Sequence, residues 1–305
     1  MSNTVATPTL TPTESATEHT GQQGRLLVQG EDRPGVVAAV ARVLTEAGAN
    51  IVALDQYSTG VRGGRFFQRT VFELPGLNAV RPQLEERLDR EVRDAFGQDW
   101  QLTEAATRKR VAILASKTDH CLLDLLWRRQ RGELNVDIEM VISNHPDLAD
   151  RVRAFGVPYF YVPVQNGDKD AAEQEHLRLL HGNVDFVVLA RYMQIISSDF
   201  ITSVDVPIIN IHHSFLPAFI GAGPYRKAKE RGVKLIGATA HYVTEDLDEG
   251  PIIEQDVARV THADTATDLQ RRGADVERAV LSRAVAWHAD DRVIRDGNST
   301  IVFAS

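Results

Sequence analysis

Short apolar runs alternate with helical patterns through the second two-thirds of the chain, and this alternation restricts the folds open to it. The runs cover residues 111–115, 138–142, 159–162, 186–190 and 207–209. Continuously apolar runs of this length are typical of strands buried on both faces, and intervening helices favour a parallel sheet. We therefore predict a doubly wound, mostly parallel α/β domain over residues 108–305.

The end of this domain departs from the alternation. Residues 236–243 and 251–260 have the pattern of two strands, joined by an acidic loop over residues 245–250. The loop is expected to carry Asp248 back toward the carboxyl ends of the parallel strands. A final amphipathic helix should cover the sheet, and residues 298–303 are expected to add an edge strand.

Residues 25–103 follow a different order. Their patterns succeed one another as strand, helix, strand, strand, helix, strand, which predicts a ferredoxin-like βαββαβ domain with an antiparallel sheet. Residues 1–24 are rich in Thr, Ser and Gln and have no apolar core. We expect this segment to be a disordered tail and not a secretory signal.

Composition excludes several classes of function. The net charge of −8 provides no basic surface for nucleic acid and disfavours an anionic membrane. No apolar run approaches the roughly 18 residues that span a bilayer. Cys121 is the only cysteine, so no internal disulfide can form, which fits a reducing cytoplasm. We interpret Cys121 as a small buried apolar residue and not as a reactive thiol.

Polar side chains follow the last apolar runs. At the end of a buried strand such side chains are poorly placed for packing but well placed for catalysis. Asn210 and His212 come directly after residues 206–209, and Arg191 follows the run 186–190. In parallel sheets, ligands bind at the carboxyl ends of the strands, so these residues should share a cleft. Singly, Asn210 could cap a turn, His212 could be a buried histidine, and Asp248 could be a solvated acid.

Together, Asn210, His212 and Asp248 fit addition to a carbonyl without a covalent intermediate. A carboxamide can stabilise a developing oxyanion, and an imidazole oriented by a carboxylate can transfer protons near neutral pH. The alternative is a metal site built from His212, His213, His241 and Asp248. Adjacent His212 and His213 on an extended chain should point to opposite sides, so we favour a reaction without a metal.

The first domain resembles an ACT domain, a small regulatory module that often binds amino acids. The resemblance rests on Asp-Arg-Pro-Gly before the first helix, Ala-Gly-Ala-Asn-Ile after it, and Asp55-Gln56 on the second strand. It implies an effector such as glycine or methionine, and a homo-oligomer, since these modules commonly pair. The implied effector-binding residues are Asp32, Gly35, Asn50 and Gln56. The alternative is that the domain only pairs the chains.

The second domain resembles the folate-dependent formyltransferase family. The matching motifs are Asn210-Ile211-His212, Ser214-x-Leu216-Pro217, Gly237-x-Thr239-x-His241, and Asp248 followed by Gly250-Pro251. The resemblance implies that Asn210, His212 and Asp248 are catalytic and that His241 supports them. The implied folate-binding residues are Arg191, Tyr192, Met193, Gln194 and Gly223. Relatives usually carry a side chain at the position of Gly223, so one contact to the ligand is missing here.

Three further features narrow the resemblance to members that hydrolyse 10-formyltetrahydrofolate to tetrahydrofolate and formate. They are the ACT-like domain, the doubled His212-His213, and His120-Cys121-Leu122 after the first strand. This implies a cytoplasmic enzyme without a metal or a further cofactor, which balances one-carbon units and supplies formate for purine synthesis.

Two alternatives remain open. The first is a glycinamide ribonucleotide-like formyltransferase, which must hold a phosphate. The turn at residues 115–120 has no glycine for such a site, so water is the favoured acceptor. The second is a regulatory protein with an idle second domain, against which the retained catalytic trio argues.

Overall fold

The computed structural model of the chain describes residues 22–60, 63–164, 167–217 and 224–304. In these residues the chain forms an antiparallel unit followed by a larger, mostly parallel unit. None of the helices in the described ranges is both long and apolar enough to cross a membrane. The described part of the chain thus consists of two α/β units in the predicted order.

The first unit has the predicted βαββαβ order. Its elements are β1 (Gln23–Glu31), α1 (Val36–Glu46), β2 (Asn50–Ser58), β3 (Arg65–Glu73), α2 (Leu77–Leu88), a π-helical segment (Asp89–Asp94) and β4 (Asp99–Glu104). The strands form one antiparallel sheet in the order β2-β3-β1-β4. Val40 of α1 and Leu84 of α2 pack with Phe72 in one core, so both helices cover the same face of the sheet.

The boundary of the predicted tail differs in the structure. Residues 1–21 lie outside the described ranges, but Gln23 and Gly24, which we assigned to the tail, begin β1. They pair with Glu73 and Phe72 of β3. These two strand residues were not predicted, because the segment is polar and has no apolar periodicity. Their strand conformation is fixed by backbone pairing with β3 and not by their own side chains.

The second unit begins with alternating strands and helices. Its elements are β5 (Lys109–Ala115), α3 (His120–Gln130), β6 (Val136–Ser143), α4 (Ala149–Arg153), β7 (Tyr159–Tyr161), α5 (Lys169–Leu180), β8 (Phe186–Ala190), α6 (Ser198–Val204), β9 (Ile208–His212), α7 (Pro224–Arg231), β10 (Leu235–Tyr242), β11 (Ile252–Arg259), α8 (Ala266–Ala289), β12 (Val293–Asp296) and β13 (Ser299–Val302). This confirms the predicted alternation.

Seven of these strands form the central sheet, in the order β11-β10-β9-β8-β5-β6-β7. Strands β9, β8, β5, β6 and β7 are parallel, whereas β10 runs antiparallel to both β9 and β11. The chain progresses outward from β5 through β6 to β7 and then returns to the other side with β8. The strand order therefore reverses between β5 and β8, and a crevice is expected at their carboxyl ends.

Strand β5 shows why these segments are apolar throughout. Val111 and Ile113 pack into the core beneath α3 and α8, whereas Ala112 and Leu114 pack into the core beneath α5 and α6. Successive side chains of a strand point to opposite faces, so a sheet covered on both faces needs an apolar residue at every position.

The strand predicted at residues 298–303 is present as β13, but its predicted place at the edge of the central sheet was wrong. Among the described residues β13 pairs only with β12, in a separate two-stranded sheet. Residues 296–299 form a tight hairpin around Gly297, which has a positive φ of 58°. The local turn therefore supplies the partner for β13 in place of the edge of the central sheet.

The C-terminal end of α8 joins the two units. Arg25 of β1 forms an ion pair with Asp290 at 2.9 Å, and Arg69 of β3 donates to the carbonyl oxygen of Asp291 at 2.9 Å. Lys109 of β5 bonds the carboxylate of the same Asp291 at 2.5 Å. The first unit and the central sheet are thus fixed to one helix end.

Candidate active site

A cleft with a volume of about 710 Å³ lies at the carboxyl ends of β5, β8 and β9. Its lining includes Asn210, His212, His241 and Asp248, together with the Arg191–Gln194 segment. A cavity of this size is within the usual range for small-molecule sites. The structure therefore brings the predicted trio and four of the five predicted folate-binding residues to one cleft. Gly223 lies outside the described residues.

The pairing of β9 with β10 positions three of these side chains. Asn210 and His212 are two residues apart on β9 and so project from the same face of the sheet. His241 of β10 stands directly opposite Asn210. Directly paired residues of neighbouring strands share a face, so the amide Nδ2 of Asn210 reaches the Nε2 atom of His241 at 3.2 Å.

The loop between β10 and β11 supplies the third member of the trio. One oxygen of Asp248, Oδ2, lies 3.2 Å from Nδ1 of His212, and Oδ1 lies 3.6 Å from Nε2 of His241. Asp248 has a φ of 59°, in the left-handed region that non-glycine residues rarely adopt. Such strained residues concentrate at functional sites, and the strain here aims the carboxylate at the two imidazoles.

Gly250 allows this loop to approach β10 closely. A Cβ atom built on Gly250 would lie 1.8 Å from the carbonyl oxygen of Tyr242. Only glycine permits this contact, which anchors the loop two residues after Asp248. The Asp248-x-Gly250 spacing of the sequence is thus explained by the packing of the loop.

His212 keeps Asp248 ionised. Contact with the His212 imidazole holds the pKa of the Asp248 carboxyl well below its usual range, although partial burial acts to raise it. His241 is fixed in turn, because its Nδ1 atom lies 2.9 Å from the carbonyl oxygen of Tyr242. Donation from Nδ1 to that carbonyl leaves Nε2 of a neutral His241 as an acceptor.

His213 was expected to face away from His212, and this prediction was wrong. The two imidazole rings stack, with centroids 5.0 Å apart and an angle of 22° between their planes. Strand β9 ends at His212, so the alternation of side chains does not extend to His213. His213 also lines the cleft, and burial lowers its pKa to about 4, so its ring is neutral at physiological pH.

Glu277 of α8 is a part of the cleft that the sequence did not reveal. The residue is 1% exposed, and its carboxylate contacts Nε2 of His120 at 2.7 Å and accepts a hydrogen bond from Tyr225 at 2.6 Å. The Nε atom of Arg191 lies 3.5 Å away. Burial alone would raise the pKa of Glu277, but the bond from His120 and the charge of Arg191 outweigh it and lower that pKa.

A signal for Glu277 was present in the sequence. The residue lies between Gly273 and Leu281 at spacings of four, on the stripe of α8 that faces the core. A carboxylate on such a stripe is costly unless it is paired, and it indicates a functional or structural ion pair. Gly273 contributes by leaving room for Tyr225, whose hydroxyl oxygen would lie 2.0 Å from a Cβ atom at that position.

Several polar atoms around the cleft are buried without a hydrogen-bond partner among the described residues. They are Oγ1 of Thr118, Nε and Nη1 of Arg191, and Nε2 of His212. Arg191 also has a left-handed backbone, with a φ of 63°. Buried polar atoms are normally paired, so these atoms are suited to bonding a polar substrate.

A second group of possible metal ligands lies beside the cleft. In the described ranges, His120, Cys121 and Glu277 are the only His, Cys, Asp or Glu side chains whose ligand atoms cluster, within 4.8 Å of one another. Burial raises the pKa of the Cys121 thiol well above its usual value, so the thiol stays protonated. The guanidinium of Arg191 beside Glu277 further disfavours a cation. Absence of a metal from the reaction remains a prediction.

The four predicted effector-binding residues do not form one site within a chain. Asp32 and Gly35 follow the carboxyl end of β1, whereas Asn50 pairs with Glu73, which in turn pairs with Gln23 at the opposite end of β1. Gln56 lies six residues beyond Asn50 on β2, or roughly 20 Å along the strand. Gly35 precedes α1 with a φ of 100°, which favours glycine.

Comparison with known families matches both units. The formyl transferase family matches residues 109–285, and the ACT domain family matches residues 24–89. These matches follow the order of the two units in the chain. The ACT match covers the β1–α2 part of the antiparallel unit, and the formyl transferase match covers the central sheet and most of α8.

Individual relatives match nearly the whole chain. Formyltetrahydrofolate deformylase of Mycobacterium tuberculosis (strain ATCC 25618 / H37Rv) is 62% identical over 92% of this chain and 90% of its own length. The Bacillus subtilis (strain 168) protein of the same name is 51% identical over 92% of this chain and 94% of its own. A crystal structure of a formyltetrahydrofolate deformylase from Pseudomonas syringae pv. tomato str. DC3000 superposes with a TM-score of 0.87 at 45% identity, covering 94% of this chain and 96% of that one.

Proposed function

The chain belongs to the formyltetrahydrofolate deformylase family and hydrolyses the formyl amide of 10-formyltetrahydrofolate, and we propose that Asn210, His212 and Asp248 perform this reaction. The alternative, transfer of the formyl group to an amine, is not favoured, because the relatives that match nearly the full length are deformylases. The observation that carries the assignment of the trio is the contact of Asp248 with His212 at 3.2 Å beside Asn210.

Asn210 polarises the formyl oxygen. The amide of Asn210 has two N–H groups, and one of them donates to Nε2 of His241 at 3.2 Å. The other N–H group donates to the formyl oxygen of the substrate, whose negative charge grows as water adds to the carbon. His241 is thus a positioning residue, because its bond to the carbonyl oxygen of Tyr242 presents an acceptor to Asn210. A fixed donor of this kind stabilises an oxyanion more than its precursor carbonyl.

His212 moves the protons. The ionised Asp248 accepts from Nδ1–H of His212, which leaves Nε2 of that imidazole as the base. Water adds to the formyl carbon while Nε2 takes its proton, and the resulting tetrahedral intermediate breaks its bond to N10 of the folate. N10 receives a proton as it departs. The products are tetrahydrofolate and formate, with net release of a proton to solvent.

The folate-binding residues in this account are Arg191, Tyr192, Met193, Gln194 and Gly223. The first four line the cleft, and the backbone N–H of Met193 is fixed by the hydroxyl of Ser116 at 3.0 Å. Exposed Met193 and Ile195 offer an apolar surface to the flat rings of a folate. Buried polar groups of Arg191 and Thr118 can bond its polar atoms. The proposed reaction uses no metal and no cofactor besides the folate substrate.

We also propose that an amino-acid effector, such as glycine or methionine, binds this protein, because its first unit matches the ACT domain family. Asp32 and Gly35 of one chain, with Asn50 of another, enclose such a molecule in a homo-oligomer, whereas Gln56 lies roughly 20 Å from Asn50 along β2 and does not reach the same molecule. The exposed β2 edge strand supports pairing, because Val52, Leu54 and Tyr57 are 45%, 41% and 49% exposed there. The proposed setting is the cytoplasm, where formate release serves one-carbon balance and purine synthesis.

The test of this function is incubation of the purified protein with 10-formyltetrahydrofolate in the absence of any amine acceptor. Formate and tetrahydrofolate should appear in equal amounts, and the rate should not increase when glycinamide ribonucleotide is added. Formate that appears only in the presence of a chelatable metal would contradict the mechanism. A formylated amine as the main product would instead identify a transferase.

A further inference from the structure

His213 has no role in the proposed reaction, although it lies beside the catalytic base. Its imidazole ring stacks on that of His212, with centroids 5.0 Å apart and an angle of 22° between the planes. His213 also lines the catalytic cleft. A side chain that contacts the base inside the cleft is in a position to act on the same reacting molecule.

The basic nitrogen of His212 lacks a partner in the protein. His212 is 6% exposed, and its Nε2 atom is buried without a hydrogen-bond partner among the described residues. Buried polar atoms are normally bonded to protein or to an ordered water molecule. The water that attacks the formyl carbon is therefore the partner expected at this nitrogen.

The spacing of the two imidazoles suits a single water molecule held between them. A water with hydrogen bonds of about 2.8 Å to two nitrogen atoms spans roughly 4.5–5 Å between those atoms. The ring centroids of His212 and His213 are 5.0 Å apart, and the rings are almost parallel. Nitrogen atoms on the same side of the two rings are therefore separated by a similar distance.

The neutral state of His213 suits it to hold water. Burial lowers the pKa of His213 to about 4, and the charges of Arg191 and His212 act in the same direction. A neutral imidazole has one N–H donor and one acceptor nitrogen, so either can bond the water. Neutrality also favours proton transfer, because His212 becomes a cation when it takes the proton, and a second cation beside it would oppose that step.

His213 is the first residue of a connected wall along the cleft. Its ring lies 6.4 Å from the ring of Tyr225, measured between centroids. Burial raises the pKa of the Tyr225 hydroxyl, so this group stays protonated and donates to Glu277 at 2.6 Å. Glu277 in turn contacts His120 at 2.7 Å. All four residues line the cleft, so a continuous wall extends from the stacked ring of His213.

This wall separates water from amine nucleophiles. Water has one hydrogen for Nε2 of His212 and a second hydrogen for His213. The nitrogen of an amine carries a further substituent, which would extend into the space that the His213 ring fills. A nucleophile larger than water therefore loses the position next to the base.

We propose that His213 holds the attacking water against His212 and excludes amines, so that it determines hydrolysis over formyl transfer. This role rests on the proposed function, because it requires His212 as the base. The water oxygen bonds the formyl carbon and gives one proton to Nε2 of His212. The bond from that carbon to N10 of the folate then breaks, and N10 takes a proton. His213 gains and loses no proton in these steps.

The experiment offers the full-length protein hydroxylamine, a small competing nucleophile, together with 10-formyltetrahydrofolate. The hydroxylamine nitrogen bonds the formyl carbon as the bond to N10 breaks, and one hydroxylamine proton passes to N10. The products are formohydroxamic acid and tetrahydrofolate. Formohydroxamic acid and formate are measured after subtraction of the rate without enzyme. The ratio of these products does not depend on the amount of folded enzyme, so a purely structural effect leaves it unchanged.

Three variants separate the parts of the His213 side chain. His213→Ala removes both the ring and its hydrogen bonds, and His213→Ser replaces it in the measurement if it does not fold. His213→Phe keeps a ring without hydrogen-bonding nitrogens, whereas His213→Gln keeps a donor and an acceptor. The matched control is His181→Ala, at an exposed position that follows α5 outside the cleft.

In His213→Ala and His213→Phe, kcat for formate release should fall by about tenfold to a hundredfold, with KM within about threefold of the wild type. The ratio of formohydroxamic acid to formate should rise by about tenfold or more in His213→Ala but not in His213→Phe. His213→Gln should release formate within about tenfold of the wild-type rate. His181→Ala should match the wild type in both readouts.

An unchanged kcat in folded His213→Ala and His213→Phe would overturn the role in holding water. An unchanged product ratio in His213→Ala, while the wild type releases formate, would overturn the exclusion of amines and leave the proposed function standing. A wild-type protein that released no formate would overturn the proposed function itself, and the role of His213 with it.

Discussion

Asn210 and His241 face each other across β9 and β10, and the amide Nδ2 of Asn210 lies 3.2 Å from Nε2 of His241. The imidazole fixes which way the amide of Asn210 turns, because its Nε2 atom accepts a hydrogen bond from the amide N–H. A carboxamide that rotated freely would present its oxygen as often as its N–H to the substrate. We therefore expect His241 to contribute through Asn210 and not through contact with the reacting atoms.

Replacing His241 with Ala should lower kcat by about tenfold to a hundredfold, because loss of a positioned oxyanion donor costs up to 10²–10³. The affinity for tetrahydrofolate should change little. In an Asn210→Ala background the same substitution should cost little more, since residues that act as a unit are not additive. Steady-state formate release is measured for the two single variants and the double variant. If the loss in the double variant equals the sum of the two single losses, in free-energy terms, the assigned role is contradicted.

Gly250→Ala should displace the Asp248 loop. The added Cβ atom would fall 1.8 Å from the Tyr242 carbonyl oxygen, so the loop or the strand must move. We expect the unfolding free energy to fall by about 1–3 kcal/mol and formate release to fall further than stability alone explains. Gly182→Ala is the matched control, since its φ of 72° imposes strain but no atom lies within 4 Å of its Cβ. Equal activity in both folded variants would exclude the proposed anchoring.

Glu277→Gln keeps the shape of the side chain but leaves Arg191 without its carboxylate partner. Removing one member of a buried charge cluster is destabilising, so the unfolding free energy should fall by about 1–4 kcal/mol. Loss of the fixed Arg191 should also raise KM for 10-formyltetrahydrofolate by about tenfold. Glu230→Gln, at an exposed position of α7, should change neither quantity. A variant with lower stability but an unaltered KM would limit Glu277 to a structural role.

His176 should make the protein sensitive to mild acid. Both ring nitrogens are buried without a hydrogen-bond partner among the described residues, and burial lowers the His176 pKa to about 4. Below about pH 6.5 the His176 imidazole binds a proton in the unfolded chain but not in the folded chain. The free energy of unfolding therefore falls by about 3 kcal/mol between pH 6.5 and 4. His176→Phe should remove this part of the loss. Urea unfolding at several pH values measures it, and parallel pH curves for the two proteins would contradict the expectation.

Patterns of adjacent and alternating residues made much of the architecture predictable. Strand β5 is apolar at every position because its two faces belong to different cores, and that pattern is readable without coordinates. The shared face of Asn210 and His212 follows from their spacing of two. The position of Asp248 in the cleft was predictable because the loop after β10 was expected to return to the carboxyl ends of the parallel strands.

Features that depend on exact element ends or on distant contacts were not predictable. His213 stacks on His212 because β9 stops one residue earlier than the alternation assumed. Glu277 belongs to a helix more than sixty residues beyond Asn210, and only the packing of α8 over the sheet brings it to His120. The separation of Asn50 from Asp32 follows from the strand order β2-β3-β1-β4, which local patterns do not specify.

The central claim is that the Asp248 carboxylate makes His212 a base for water. The most direct measurement compares Asp248→Asn with the wild type for formate release from 10-formyltetrahydrofolate and, in parallel, for equilibrium binding of tetrahydrofolate. Formate release should fall by about a thousandfold or more, whereas binding should stay within about threefold. Full turnover by a folded Asp248→Asn variant would contradict the account.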